Sequence, residues 1–169
     1  MLHDWANLFE ITGAAGAQLI GLVFVAVTLG VGLSAPQAAD GIRAFMTPTL
    51  VNFGSVLFLA VLMLAPWPSV KPLGCVLIVG AAAGLAYRLS AVLLKRKLDF
   101  IDLNPLDWTA YNGAPLLASV STIAGGVGFV LDNPLAPFAI AAASVLLLCG
   151  GIYGAWDITV WMIRNRGKT

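Results

Sequence analysis

Residues 11–33 read ITGAAGAQLIGLVFVAVTLGVGL, a run without a single Asp, Glu, Lys, Arg or His. A membrane-crossing helix needs roughly 20 mostly apolar residues, and this run supplies them with Trp5 and Phe9 just ahead. A soluble helix of the same length would show a continuous polar face. Here the polar positions are only Thr12, Gln18 and Thr28. The stretch predicts a transmembrane helix over residues 5–33. Met1-Leu2-His3-Asp4 has no cation ahead of it, and the run is too long for the apolar core of a signal peptide, so the segment reads as an anchor.

Working outward, four further runs qualify. They cover 42–65 (kinked where Pro48 interrupts the helix), 70–94, 113–131 and 135–163. Turn residues separate them: Ser34-Ala35-Pro36, Pro66-Trp67-Pro68-Ser69, and Asp132-Asn133-Pro134, where Asn133 suits an N-cap and Pro134 a first helical position. The longest connection contains Asn104-Pro105-Leu106-Asp107 and predicts an interfacial loop or short helix over 98–112. The whole chain of 169 residues is 60% hydrophobic and 10% charged, with mean hydropathy +0.94. Soluble domains carry nearer a quarter charged residues. The expected fold is therefore an all-α integral membrane protein, one domain over 1–169, built as a bundle of about five transmembrane helices.

Orientation follows from the cations. With the N-terminus outside and the C-terminus inside, Arg43, Arg88, Lys95, Arg96, Lys97, Arg164, Arg166 and Lys168 fall on the cytoplasmic side, and only Lys71 falls outside. The reverse orientation inverts that ratio. A bacterial inner membrane, crossed several times, is the expected location. Cys75 and Cys149, the two cysteines, lie in different apolar runs and read as small buried hydrophobes rather than a disulfide.

Small residues recur at helix-packing spacing: Gly13, Ala17 and Gly21 in the first run, Gly80 and Gly84 in the third, Gly150 and Gly154 in the fifth. Arg88 follows Gly84 by four residues and Asp157 follows Gly154 by three. A lone charge at the bilayer centre costs about 2.5–3.5 kcal/mol on insertion scales. The expectation is that the third and fifth helices dock through their glycine faces and close with an Arg88–Asp157 ion pair. The alternative is that Arg88 snorkels to the interface and Asp157 is interfacial on a shifted or tilted helix. Glu10, Gln18, Asn52, Ser119 and Thr122 form a candidate polar lining, and Gln18 and Asn52 fall at similar depth, so a hydrogen bond between them is expected.

Catalytic chemistry has no foothold. The one histidine, His3, is terminal, leaving no metal pair and no Ser–His dyad. Gly167-Lys168-Thr169 ends like a phosphate loop, but Met162 stands where that motif has Gly. No catalytic residue, metal or cofactor is expected, and the net charge of +1 gives no reason to invoke nucleic acid.

Trp5, Phe9 and Gly13, then Gly21-Leu22-Val23-Phe24-Val25-Ala26-Val27, Arg43-Ala44, Pro48-Thr49-Leu50 and Pro66 together resemble a family of small bacterial inner-membrane proteins. Some of its members carry the label of modulators of the FtsH protease. The resemblance spans about residues 5–66, rests on apolar and glycine positions, and implies a membrane fold without an assigned active site. Two functions remain open on this reading. One is a homo-oligomeric channel or conduit for ions or small solutes. The other is an accessory or regulatory subunit of a larger inner-membrane complex. A membrane enzyme is the weakest class.

Overall fold

A computed structural model describes residues 2–31, 38–96 and 113–165. A short 3-10 turn, His3–Trp5, leads into α1 (Ala6–Val31). Then follow α2 (Ala38–Leu64), α3 (Val70–Arg96), α4 (Ala114–Val130) and α5 (Ala136–Asn165). The described residues contain no strand. Three stretches are long and apolar enough to cross a membrane: His3–Thr28, Thr47–Leu64 and Ala136–Asp157. Val70–Ala86 and Ala114–Val130 are apolar but shorter. The connection 98–112, with its expected interfacial helix, lies outside the described residues, as do Lys97, Arg166 and Lys168.

Local chemistry sets the helix ends. Pro48 sits inside α2, where it removes one backbone donor and loosens the preceding turn. After α2 the chain turns through Ala65–Ser69, and the Trp67 indole Nε1 donates to the Leu62 carbonyl at 2.7 Å, tying the turn to the helix it leaves. Pro115 stands in the first turn of α4, where its missing N–H costs nothing. Beyond α4, Asp132 takes the left-handed conformation, with φ 55°. The Asn133 amide reaches back to the Gly128 carbonyl at 2.8 Å. Both are features of a helix stop of Schellman type. The Asn133 Oδ1 then accepts the Leu135 amide at 2.9 Å, as an N-cap does for the helix that follows.

Chain order and packing order differ. α1 packs on α2, α2 on α5, α5 on α4, and α4 on α3, with a smaller contact between α1 and α5. Among the described residues, neither α2 with α3 nor α3 with α5 is a packed pair. The core runs through the row as Phe9 of α1, Val56, Leu59 and Met63 of α2, Ile140, Ala143 and Leu147 of α5, Phe129 of α4, and Leu73 and Leu77 of α3.

Glycine permits two of the close approaches. A Cβ added at Gly74 of α3 would lie 2.6 Å from the Gly126 carbonyl oxygen of α4, and one at Gly126 would lie 2.9 Å from the Gly74 oxygen. Between α2 and α5, a side chain at Gly151 would collide with the Phe53 ring. Such backbone proximity is how helices associate where lipid gives no hydrophobic drive.

The expected docking of the third and fifth helices through their glycine faces is therefore corrected. α4 lies between them in the row, because Gly125, Gly126 and Gly128 let it approach both neighbours at once. Gly80 and Gly84 meet nothing within 4 Å of an added Cβ, and the same holds for Gly21. Cys75 and Cys149 are free and exposed rather than buried, since each falls on the face its helix turns away from the row.

Candidate functional site

Two features stand apart from simple core packing: the outward face of α1 and a cleft between α2 and α3. On α1, Phe9, Thr12, Gly13, Gly16 and Val23 point into the bundle. The opposite side carries Glu10, Ala14, Ala17, Gln18 and Gly21, all exposed. The spacing explains the grouping, since residues 10, 14, 17, 18 and 21 fall within one side of a helix of 3.6 residues per turn. Gln18 is near the midpoint of α1, twelve residues after Ala6 and thirteen before Val31. Glu10 lies roughly 12 Å from it along the axis.

Gln18 differs from the hydroxyl side chains in how its polar atoms are met. Thr12, Thr28, Ser55, Ser119, Thr122, Ser144 and Thr159 each donate to a carbonyl one turn back in their own helix. Ser121 donates across to the Ala139 carbonyl of α5 at 2.8 Å. The amide of Gln18 makes no such bond among the described residues. The expected Gln18–Asn52 bond does not form. Asn52 is 3% exposed in α2, buried inside the bundle, while Gln18 points out of it. The Asn52 Oδ1 has no hydrogen-bond partner among the described residues.

The cleft has a volume of about 360 Å³. Val51, Ser55 and Phe58 of α2 form one wall, Val76, Gly80 and Gly84 of α3 the other. Its floor is Ala118, Ser119 and Thr122 of α4 with Leu147 of α5. The hydroxyl protons of Ser55, Ser119 and Thr122 are turned back onto Val51, Pro115 and Ala118 carbonyls. The cleft thus offers hydrocarbon and few free donors. Ser119 and Thr122 meet there, whereas Glu10, Gln18 and Asn52 do not join them, so the five candidate lining residues divide among three places. Sequence reasoning missed the cleft because a short turn joins α2 to α3 without packing them together. Its signal was present in Gly54-Ser55 and in Gly80 with Gly84, small residues left without a facing helix.

At the end of the bundle where α1 begins, Lys71 at the start of α3 pairs with Asp132 at 3.1 Å, both largely exposed. The Arg88 side chain lies outside the described residues, as do those of Arg43, Lys95, Arg96 and Arg164. Asp157 of α5 is half-buried and has a partner. Gly150 and Gly154, on the same helix, are buried. Among the described residues no three of His, Cys, Asp and Glu gather as a metal site would require.

Set against protein-family models, curated proteins and solved structures, the chain finds no match. What defines its class is therefore its own architecture, a helical protein with three helices able to cross a membrane.

Proposed function

We propose that this chain is a five-span inner-membrane protein, N-terminus outside, that assembles with copies of itself into a conduit for ions or small solutes. The observation that carries the reading is the placement of Glu10 and Gln18 together on the outward face of α1. An amide facing hydrocarbon without a partner costs about 1–3 kcal/mol judged by mutational data, and a carboxylate costs more. Lipid cannot meet that cost, whereas polar groups and water gathered between copies can. The five-span topology rests on the apolar lengths of α3 and α4 added to the three longer spans, and the orientation on the eight-to-one distribution of Lys and Arg.

Glu10 sits about one turn inside the outer end of α1, and carboxylates gathered at such a mouth favour cations. Purified protein in sealed vesicles is expected to pass small cations in preference to anions, and Glu10→Gln to remove most of that preference. Vesicles that stay tight to ions and small neutral solutes would overturn the proposal.

A second reading has its own support. Gly80 and Gly84 face the open cleft, and small residues in that pattern accept a helix of another protein. An accessory subunit would use them so. The resemblance of residues 5–66 to proteins labelled as protease modulators points the same way. Native mass spectrometry of gently extracted protein separates the two: copies of this chain alone favour the conduit, a fixed ratio to a different chain favours the subunit.

A further inference from the structure

We infer that α1 is the contact helix of the assembly, its Glu10–Gly21 face turned toward the same face of a second copy so that Gln18 meets Gln18 at one depth. The inference rests on the membrane-spanning reading given above. It names the partner and the contact that the reading leaves open.

Three observations lead to it. First, Gln18 is exposed, mid-helix and without a partner among the described residues, while the hydroxyl side chains nearby satisfy themselves on their own backbone. A primary amide has two donor hydrogens and an acceptor oxygen, so it is complementary to another copy of itself. Second, every copy of one chain inserts in the same sense. Two α1 helices facing one another therefore run parallel, and position 18 of one falls level with position 18 of the next. A hetero-partner would need a polar group at that depth by coincidence; a second copy has it by construction. Third, the positions on one flank of Gln18 are small, while Ile11, Leu22 and Val25 on its other flank are large and exposed. Ala14, Ala17 and Gly21 are exposed, and an added Cβ at Gly21 meets nothing within 4 Å, so the backbones can come near enough for the amides to bond. The rest of the bundle does not obstruct this contact. α2 and α5 approach α1 from the side that carries Phe9, Gly13 and Gly16. Glu10, two turns nearer the outer surface on the same face, then belongs to the mouth of the interface.

The contact is tested in native membranes with the full chain, in a Cys75→Ala, Cys149→Ala background. Single cysteines are placed at Ala14→Cys and Gly21→Cys on the proposed face and at Val79→Cys, an exposed position on α3. Mild oxidation is expected to link the first two into dimers at least several-fold more efficiently than the third. Equal linkage at all three positions, or linkage to a different protein, would overturn the inference. Separately, subunit mixing of the native-cysteine protein in vesicles reads the amide itself. Gln18→Leu, which suits lipid and leaves the fold unburdened, is expected to weaken association roughly threefold to tenfold, and Gln18→Asn to restore much of it. No change with Gln18→Leu would overturn the role of Gln18. Strong linkage at residues 14 and 21 in vesicles that carry no flux would sink the conduit and leave this interface standing.

Discussion

Gly74 of α3 and Gly126 of α4 face each other so closely that a Cβ on either would lie under 3 Å from the other's carbonyl oxygen. Because the obstacle is backbone, no side-chain rotation relieves it, and the two helices must separate to admit even a methyl group. Overpacking of this kind costs about 1–3 kcal/mol, which exceeds the gain of up to about 1 kcal/mol that alanine brings to a helix. Gly126→Ala is therefore expected to destabilise the protein. Gly80→Ala, on the open side of the same α3, is expected to be neutral or to stabilise by up to about 1 kcal/mol. Reversible unfolding in bicelles measures both, and equal effects would mean that α3 and α4 are not in contact at this point.

Asn52 makes a prediction of the opposite sign. Its buried Oδ1 lacks a donor, and an unmet polar group inside a protein costs about 1–3 kcal/mol. Asn52→Leu keeps the branched shape and heavy-atom count and removes the unmet group, so the variant is expected to unfold at higher denaturant than the parent. A loss of stability instead would show that the amide oxygen holds a partner in the membrane-embedded protein. If conductance falls while stability rises, the residue is kept for transport at the expense of the fold.

At the α4–α5 turn, two terms compete on Asp132. The left-handed backbone at φ 55° favours glycine by about 1 kcal/mol. The exposed ion pair with Lys71 is worth about 0.2–1 kcal/mol. Asp132→Gly is therefore expected to be neutral or mildly stabilising, and Asp132→Ala, which loses the pair and gains no backbone relief, to be destabilising. Raising the salt concentration is expected to narrow the cost of Asp132→Ala, because the pair is screened. If the Gly variant proves the less stable of the two, the backbone strain has been overestimated.

The positions of the helices were legible in the sequence because long uncharged runs and the turn residues between them are local signals. α2 and α3, expected over 42–65 and 70–94, occupy Ala38–Leu64 and Val70–Arg96. Their pairing was not legible, and the reason is physical. A helix among lipid and other helices is apolar all round, so buried Phe9 and exposed Ile11 look alike in composition. The spaced glycines misled for a related reason. Gly80 and Gly84 match a packing motif yet face open space, while Gly74, in the path of Gly126, matches none on its own. Depth could be counted from the helix ends, which is why Gln18 and Asn52 were expected at one level. The face each presents depends on which neighbours pack where, and that information is tertiary.

The packing order has a consequence for how the protein is made. Helices α1 and α2 form one adjacent pair and α3 and α4 another, but these pairs share no extensive contact with each other. Only α5 joins them, resting on α2 and α1 on one flank and α4 on the other. On the five-span reading proposed above, a nascent chain lacking Ala136–Asn165 is two hairpins in the same bilayer, each with a raw flank where α5 belongs. Quality-control machinery that surveys half-built membrane proteins would meet those flanks on every molecule until α5 arrives, which makes the last described helix the keystone of the assembly.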